Sequence, residues 1–165
     1  MEDFLKDLPK KANQKHQENK KFLAKLKKKP PKNLDYLMAD LHEKEFRQTD
    51  CLTCANCCKT TGPLFTNADI ERIAKKLRLK PTQFIDAYLR LDEDNDYVLQ
   101  NVPCVFLGTD NYCSIYDVRP KACREYPHTD RKKFHQINNL TLKNVAICPA
   151  AYNIVEAMKQ SLPIK

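Results

Sequence analysis

Glycine is nearly missing: Gly62 and Gly108 are the only two in 165 residues. A Walker loop or a dinucleotide-binding fingerprint needs several glycines at fixed spacing, so that backbone amides can close on phosphate. Two isolated glycines cannot write either motif. Long apolar runs are missing too. Stretches such as Val102 to Leu107 fall far short of the roughly 18 residues that a membrane-spanning helix needs. The stretch Met1-Glu2-Asp3-Phe4-Leu5-Lys6-Asp7 places acids where a secretory signal has a basic region. The expectation is a cytoplasmic protein with no membrane insertion.

What is present in excess is cysteine. Eight of them in a chain expected to stay in a reducing compartment read first as metal ligands, and only second as disulfide partners. Apolar residues make up 42% of the chain, enough for a core at this length.

Charge is unevenly placed. Residues 1–33 hold eleven lysines against four acidic residues, a net of +7, whereas residues 34–165 hold 18 basic and 17 acidic, a net of +1. Pro30-Pro31 marks the change, since proline interrupts the helical hydrogen-bond ladder. Residues 1–32 are therefore expected to form a Lys-rich amphipathic arm, with Phe4, Leu5, Leu8, Phe22, Leu23 and Leu26 on its apolar side. Residues 33–165 form the cysteine-bearing domain. The arm offers a contact for nucleic acid or an acidic protein. Against that, no aromatic residues are interleaved with the lysines to stack on bases, so a solvated helix laid on the domain explains it as well.

Periodicity gives the other elements. Asn33 is placed to cap a helix carrying Leu34, Leu37, Met38 and Leu41. Thr66 and Asp69 form an acidic variant of the capping box ahead of Ile70, Ile73, Ala74 and Leu77. Pro81 suits the first turn of a third helix bearing Phe84, Ile85, Tyr88 and Leu89. Tyr97–Leu99 and Val102–Leu107 read as extended, with Tyr112–Tyr116 returning as a hairpin partner across the Gly108 turn. A last helix runs from about Ala150 to Ser161. The fold class expected is a mainly α, small, irregular, metal-stabilised domain with a short β-hairpin. Asp92-Glu93-Asp94-Asn95-Asp96 imitates the start of a calcium loop, but Tyr97 stands where glycine is required and Pro103 where the bidentate Glu belongs. It reads as a solvated acidic loop.

Cys51, Cys54, Cys57 and Cys58 fall in the pattern C-x-x-C-x-x-C-C. Two-residue spacing lets a short loop turn two thiolates toward one ion. Adjacent Cys57 and Cys58 are expected to point apart, which argues against one mononuclear site made of all four. Cys104, Cys113, Cys123 and Cys148 sit in the irregular half. Eight thiolates can complete two four-coordinate sites, or one multinuclear cluster and a structural ion. One partition gives Cys51, Cys54, Cys57 and Cys148 to one site and Cys58, Cys104, Cys113 and Cys123 to the other. Zinc and iron, including an iron-sulfur cluster, suit these ligands equally. Arg119 and Arg124 flank Cys123 and could offset the negative charge of a thiolate site. His128, His135, Tyr116 and Tyr126 read as structural or surface residues, and no residue stands out as catalytic.

The string Cys51-x-x-Cys54-x-x-Cys57-Cys58, then Pro103-Cys104-Val105-Phe106-Leu107, then Cys113-Ser114-Ile115-Tyr116-x-x-Arg119-Pro120-x-x-Cys123-Arg124-x-Tyr126-Pro127 resembles the CxxCxxCC cysteine-cluster family. The resemblance covers about Cys51 to Cys148 and implies a zinc- or iron-chelating domain. A similar module occurs in flagellin lysine methylases, so it also admits an iron-sulfur redox or methyl-transfer enzyme, or a subunit of one. Residues 1–45 inherit nothing from it. Three functions remain open on sequence: a metal-chelating module, such an enzyme, and an adaptor working through the basic arm.

Overall fold

The Lys-rich segment is one long helix, α1 (Glu2–Lys28), with Pro9 inside it. Leu8, Ala12, Asn19, Leu23 and Leu26 are buried, at spacings of three, four and seven that keep them on one face. Glu2 and Asp3 in the first turn and Lys25, Lys27 and Lys28 in the last complement the helix dipole. The computed structural model describes residues 1–163. The chain divides into two compact units, Met1–Asp50 with Pro127–Lys165, and Cys51–Tyr126. Their charges differ: the first holds 19 basic and 11 acidic residues, the second ten of each. The whole net charge of +8 thus belongs to the first unit.

In the first unit α1 meets α2 (Leu34–Phe46), α8 (Asn138–Asn144) and α9 (Pro149–Ser161) around Leu23, Leu26, Leu34, Met38, Phe134, Ile154, Val155 and Met158. Asn33 does stand at the N-cap of α2, but its side chain makes no capping bond. Buried Glu45 is satisfied by Gln48, Thr49 and, from α9, Asn153 at 2.9 Å.

The second unit carries two one-turn helices, α3 (Cys51–Cys54) and α4 (Asn56–Thr60), then α5 (Asn67–Lys76), α6 (Pro81–Tyr88) and α7 (Lys121–Glu125). Strands β1 (Leu64–Phe65), β2 (Leu89–Leu91) and β3 (Tyr97–Leu99) form an antiparallel sheet in the order β1-β3-β2. Phe65, Ile70, Ile73, Phe84, Leu89, Leu99, Phe106 and Ile115 make its core. The expected capping box is formed: Thr66 Oγ1 accepts from the Asp69 amide at 3.1 Å and Asp69 accepts from the Thr66 amide at 2.9 Å.

The mainly α class with a small antiparallel element is what the chain adopts, but the hairpin lies elsewhere. It runs from β2 to β3 over the acidic loop, where the Asp92 carboxylate accepts from the amides of Asp94 and Asp96, both at 2.9 Å. The segment expected to pair across Gly108 makes one bridge, Leu107 to Cys113, among the described residues. Pro103 has no N–H to give, and the Cys104 amide bonds outside any ladder, so the chain turns where a strand would continue. That turn is tight at Gly108: a Cβ there would lie 2.7 Å from Asp110 Oδ1 and 3.3 Å from the Tyr112 carbonyl oxygen, so both would have to give way.

Candidate metal centre

Ala55 separates α3 from α4 by adopting a left-handed backbone at φ 48 while buried. A non-glycine residue held there costs about 1–3 kcal/mol. The reversal lets a second helical turn begin at once, so Cys57 and Cys58 sit on α4 while Cys51 and Cys54 sit on α3. Cys54 is buried, Cys57 and Cys58 are half-buried, and Cys51 is exposed. Asn111 Nδ2 donates to the Thr53 carbonyl at 3.3 Å, tying the Gly108 turn to α3.

Cys57 and Cys58 do not point apart as the sequence suggests. Their side chains are hydrogen-bonded, because successive residues on a one-turn helix are only about 100° apart and sulfur bonds reach further than oxygen ones. That bond, working against burial and helped by Lys59, lowers Cys58 to about 7. Cys58 thus ionises more readily than an ordinary thiol.

Cys104 is held beside it. The Cys104 amide donates to the Cys58 carbonyl at 2.8 Å, and the Cys104 sulfur accepts from the backbone amides of Phe106 and Leu107. Cys113 follows across the Leu107–Cys113 bridge, its sulfur accepting from the Ile115 amide. Cys123 lies on α7. Burial pushes the Cys104 and Cys113 thiols up, and negative charge at Cys58 adds to this. Burial pushes Cys123 up to about 12, with further contributions from Cys58, Cys104 and Cys113. Four cysteines spread from Cys58 to Cys123, nearly the whole length of this unit, are therefore within electrostatic reach of one another.

Besides Lys59 at Cys58, a second cation acts on two of them. Arg119 lowers both Cys113 and Cys123. Its guanidinium lies 3.9 Å over the Tyr116 ring, and Nη1 donates to the Tyr116 carbonyl at 2.8 Å. Arg124, the other arginine expected here, is exposed. Cys148 belongs to the first unit, where its sulfur accepts from the Ala151 amide at 3.4 Å and caps α9. His128 and His135 also lie in that unit.

Sequence reasoning missed Arg72. On α5 its guanidinium donates to Asp69 Oδ1 at 2.7 Å, to the Arg119 carbonyl at 2.9 Å and to the Val118 carbonyl at 3.2 Å. The i, i+3 pairing with Asp69 was readable, but carbonyl partners some 46 residues away carry no sequence signature.

Among the described residues, no group of three or more His, Cys, Asp or Glu side chains stands ready-made to hold an ion. The thiols are gathered without converging on one point. As a donor set they suit a soft ion: four sulfurs, amide N–H groups directed at two of them, and a guanidinium near two. No curated protein and no solved structure matches the chain. The model of the CxxCxxCC family, a putative zinc- or iron-chelating domain, matches residues 50–142, which take in seven of the eight cysteines and exclude Cys148. With that match covering more than half of its length, the chain belongs to the CxxCxxCC family.

Proposed function

We propose that the protein binds one soft divalent ion, zinc or ferrous iron, through the thiolates of Cys58, Cys104, Cys113 and Cys123. The observation that supports this is the backbone link between them: the Cys104 amide donates to the Cys58 carbonyl at 2.8 Å and the Leu107–Cys113 bridge brings Cys113 to the same turn, with Cys123 within electrostatic reach of all three. Without a cation each further thiolate is opposed by those already formed. A divalent ion removes that opposition and draws the sulfurs together, with release of the thiol protons.

The backbone amides of Phe106, Leu107 and Ile115 would stabilise sulfur charge in such a site. Four thiolates around a divalent ion leave a formal charge of about −2, which Arg119 would partly offset. Cys51, Cys54 and Cys57 provide three further sulfurs in the same unit, available for a second ion or for an iron-sulfur cluster.

Anaerobic purification followed by elemental analysis and an acid-labile sulfide assay tests the reading. One zinc or iron per chain without sulfide is expected. Stoichiometric sulfide would replace the mononuclear site by a cluster, and metal-free protein that takes up neither ion would overturn the reading altogether.

A further inference from the structure

We propose that Asp69 and Arg72 are positioning residues of the thiol site, acting through the turn at residues 118–121 to aim Arg119 and Cys123. The inference rests on the four-thiolate reading above. Asp69 is only 1% exposed, so its charge must be matched by donors. Two of these are local, the Thr66 amide and Arg72. The third is remote: the Lys121 amide donates to Asp69 Oδ1 at 3.1 Å. Arg72 extends the same link by donating to the carbonyls of Val118 and Arg119. One ion pair on α5 thus grips two acceptors and one donor of a four-residue turn, with Pro120 fixing its middle.

A pair serving only α5 would need none of the three remote bonds. Their consequence is directional. With the Arg119 backbone pinned from α5, its guanidinium rests against the Tyr116 ring, within electrostatic reach of Cys113 and Cys123. With the Lys121 amide pinned, α7 starts at a fixed point, two residues before Cys123. Neither Asp69 nor Arg72 touches a sulfur, so both act on the site through the turn.

The test uses full-length protein with cadmium as a thiol-seeking probe. Arg72→Met keeps the aliphatic length of the side chain and removes its donors. Lys121→Pro removes the amide that Asp69 holds, at a first helical position where proline fits; it also removes the exposed Lys121–Glu125 ion pair, whose contribution at such exposure is small. Two readouts are taken: cadmium release to excess chelator, and the rate of Cys123 alkylation relative to Cys104 in metal-free protein, resolved by mass spectrometry. Release about tenfold faster in Arg72→Met is expected, at the low end of what outer contacts to a metal site contribute. The Cys123 to Cys104 ratio should rise in both variants. A wild-type release rate and ratio in Arg72→Met would overturn the proposal; should that variant not fold, Lys121→Pro decides by the same readouts. If wild-type protein takes no cadmium, the four-thiolate reading fails, while the alkylation ratio still reports on the clamp.

Discussion

The backbone amide of Cys104 donates to the carbonyl of Cys58 at 2.8 Å, joining the end of the C-x-x-C-x-x-C-C run to the first cysteine of the irregular segment. This bond is made by main chain, so it fixes two potential ligands relative to each other whatever their side chains do. Cys113 follows through the Leu107 bridge, and Cys123 through the turn held by α5. The site is assembled by backbone from three separate places in the chain.

Serine in place of Cys58, Cys104, Cys113 or Cys123 should each abolish the ion, since a missing sulfur leaves an open, hydrolysable position. Serine at exposed Cys51 should leave that ion in place. Metal-to-protein ratios by elemental analysis check both arms. Full metal content in Cys104→Ser would speak against the assignment.

Asp69 supplies a pH prediction. Burial works to raise its carboxyl, but the Thr66 amide, Arg72, the Thr66 hydroxyl and the Lys121 amide together hold it below the ordinary range. A lowered folded-state value means stability that is present above the unfolded value, about pH 4, and lost as pH falls through the folded value. In metal-free protein Asp69→Asn should be destabilised by about 2 kcal/mol at neutral pH, and the gap from wild type should close on acidification. Urea midpoints across the acid range measure it. A gap that does not change with pH would contradict this use of the carboxylate.

How much of this could be read in advance divides along a physical line. The capping box at Thr66 and Asp69, the faces of α5 and α6 and the amphipathic side of α1 are local, and period and propensity expose them. The pairing of Leu64 with Val98 and of Leu89 with Leu99 is not local, so Tyr97–Leu99 read as extended but its partners did not, and the hairpin expected across Gly108 is reduced to the Leu107–Cys113 bridge. At the candidate site, sequence pointed to the cysteines and to Arg119 beside Cys123. The inward turn at Cys104, made by a proline without an N–H and an amide spent on Cys58, had no periodic signal.

Cys148 acts on stability. Its sulfur accepts from the Ala151 amide at the start of α9, the place where a serine hydroxyl ordinarily serves. Cys148→Ser should keep stability near wild type, whereas Cys148→Ala should cost about 1 kcal/mol. Thermal unfolding of the two variants compares them directly, and equal loss in both would rule out capping as the role of that sulfur.

Removing the ion should loosen the chain unevenly. Metal binding in small metal domains contributes on the order of 10 kcal/mol of folding free energy, and residues 100–126 hold little regular ladder of their own. Helices α5 and α6 have their own hydrogen-bond ladders and bury Ile70, Ile73, Ala74 and Phe84, with Cys104 and Cys113 packed against that core only as partly buried neighbours. Hydrogen exchange after chelation should rise across residues 100–126 well before it rises in α5. Uniform protection before and after would make the ion an accessory to the fold.

The central claim is that four particular sulfurs hold one ion, and metal-dependent alkylation mapped residue by residue tests it most directly. Protein loaded with zinc, and the same protein stripped of it, are treated briefly with a thiol reagent and the modified cysteines are identified by mass spectrometry. Cys58, Cys104, Cys113 and Cys123 should be protected together in the loaded form and react after stripping. Equal labelling of these four with and without the ion would contradict it.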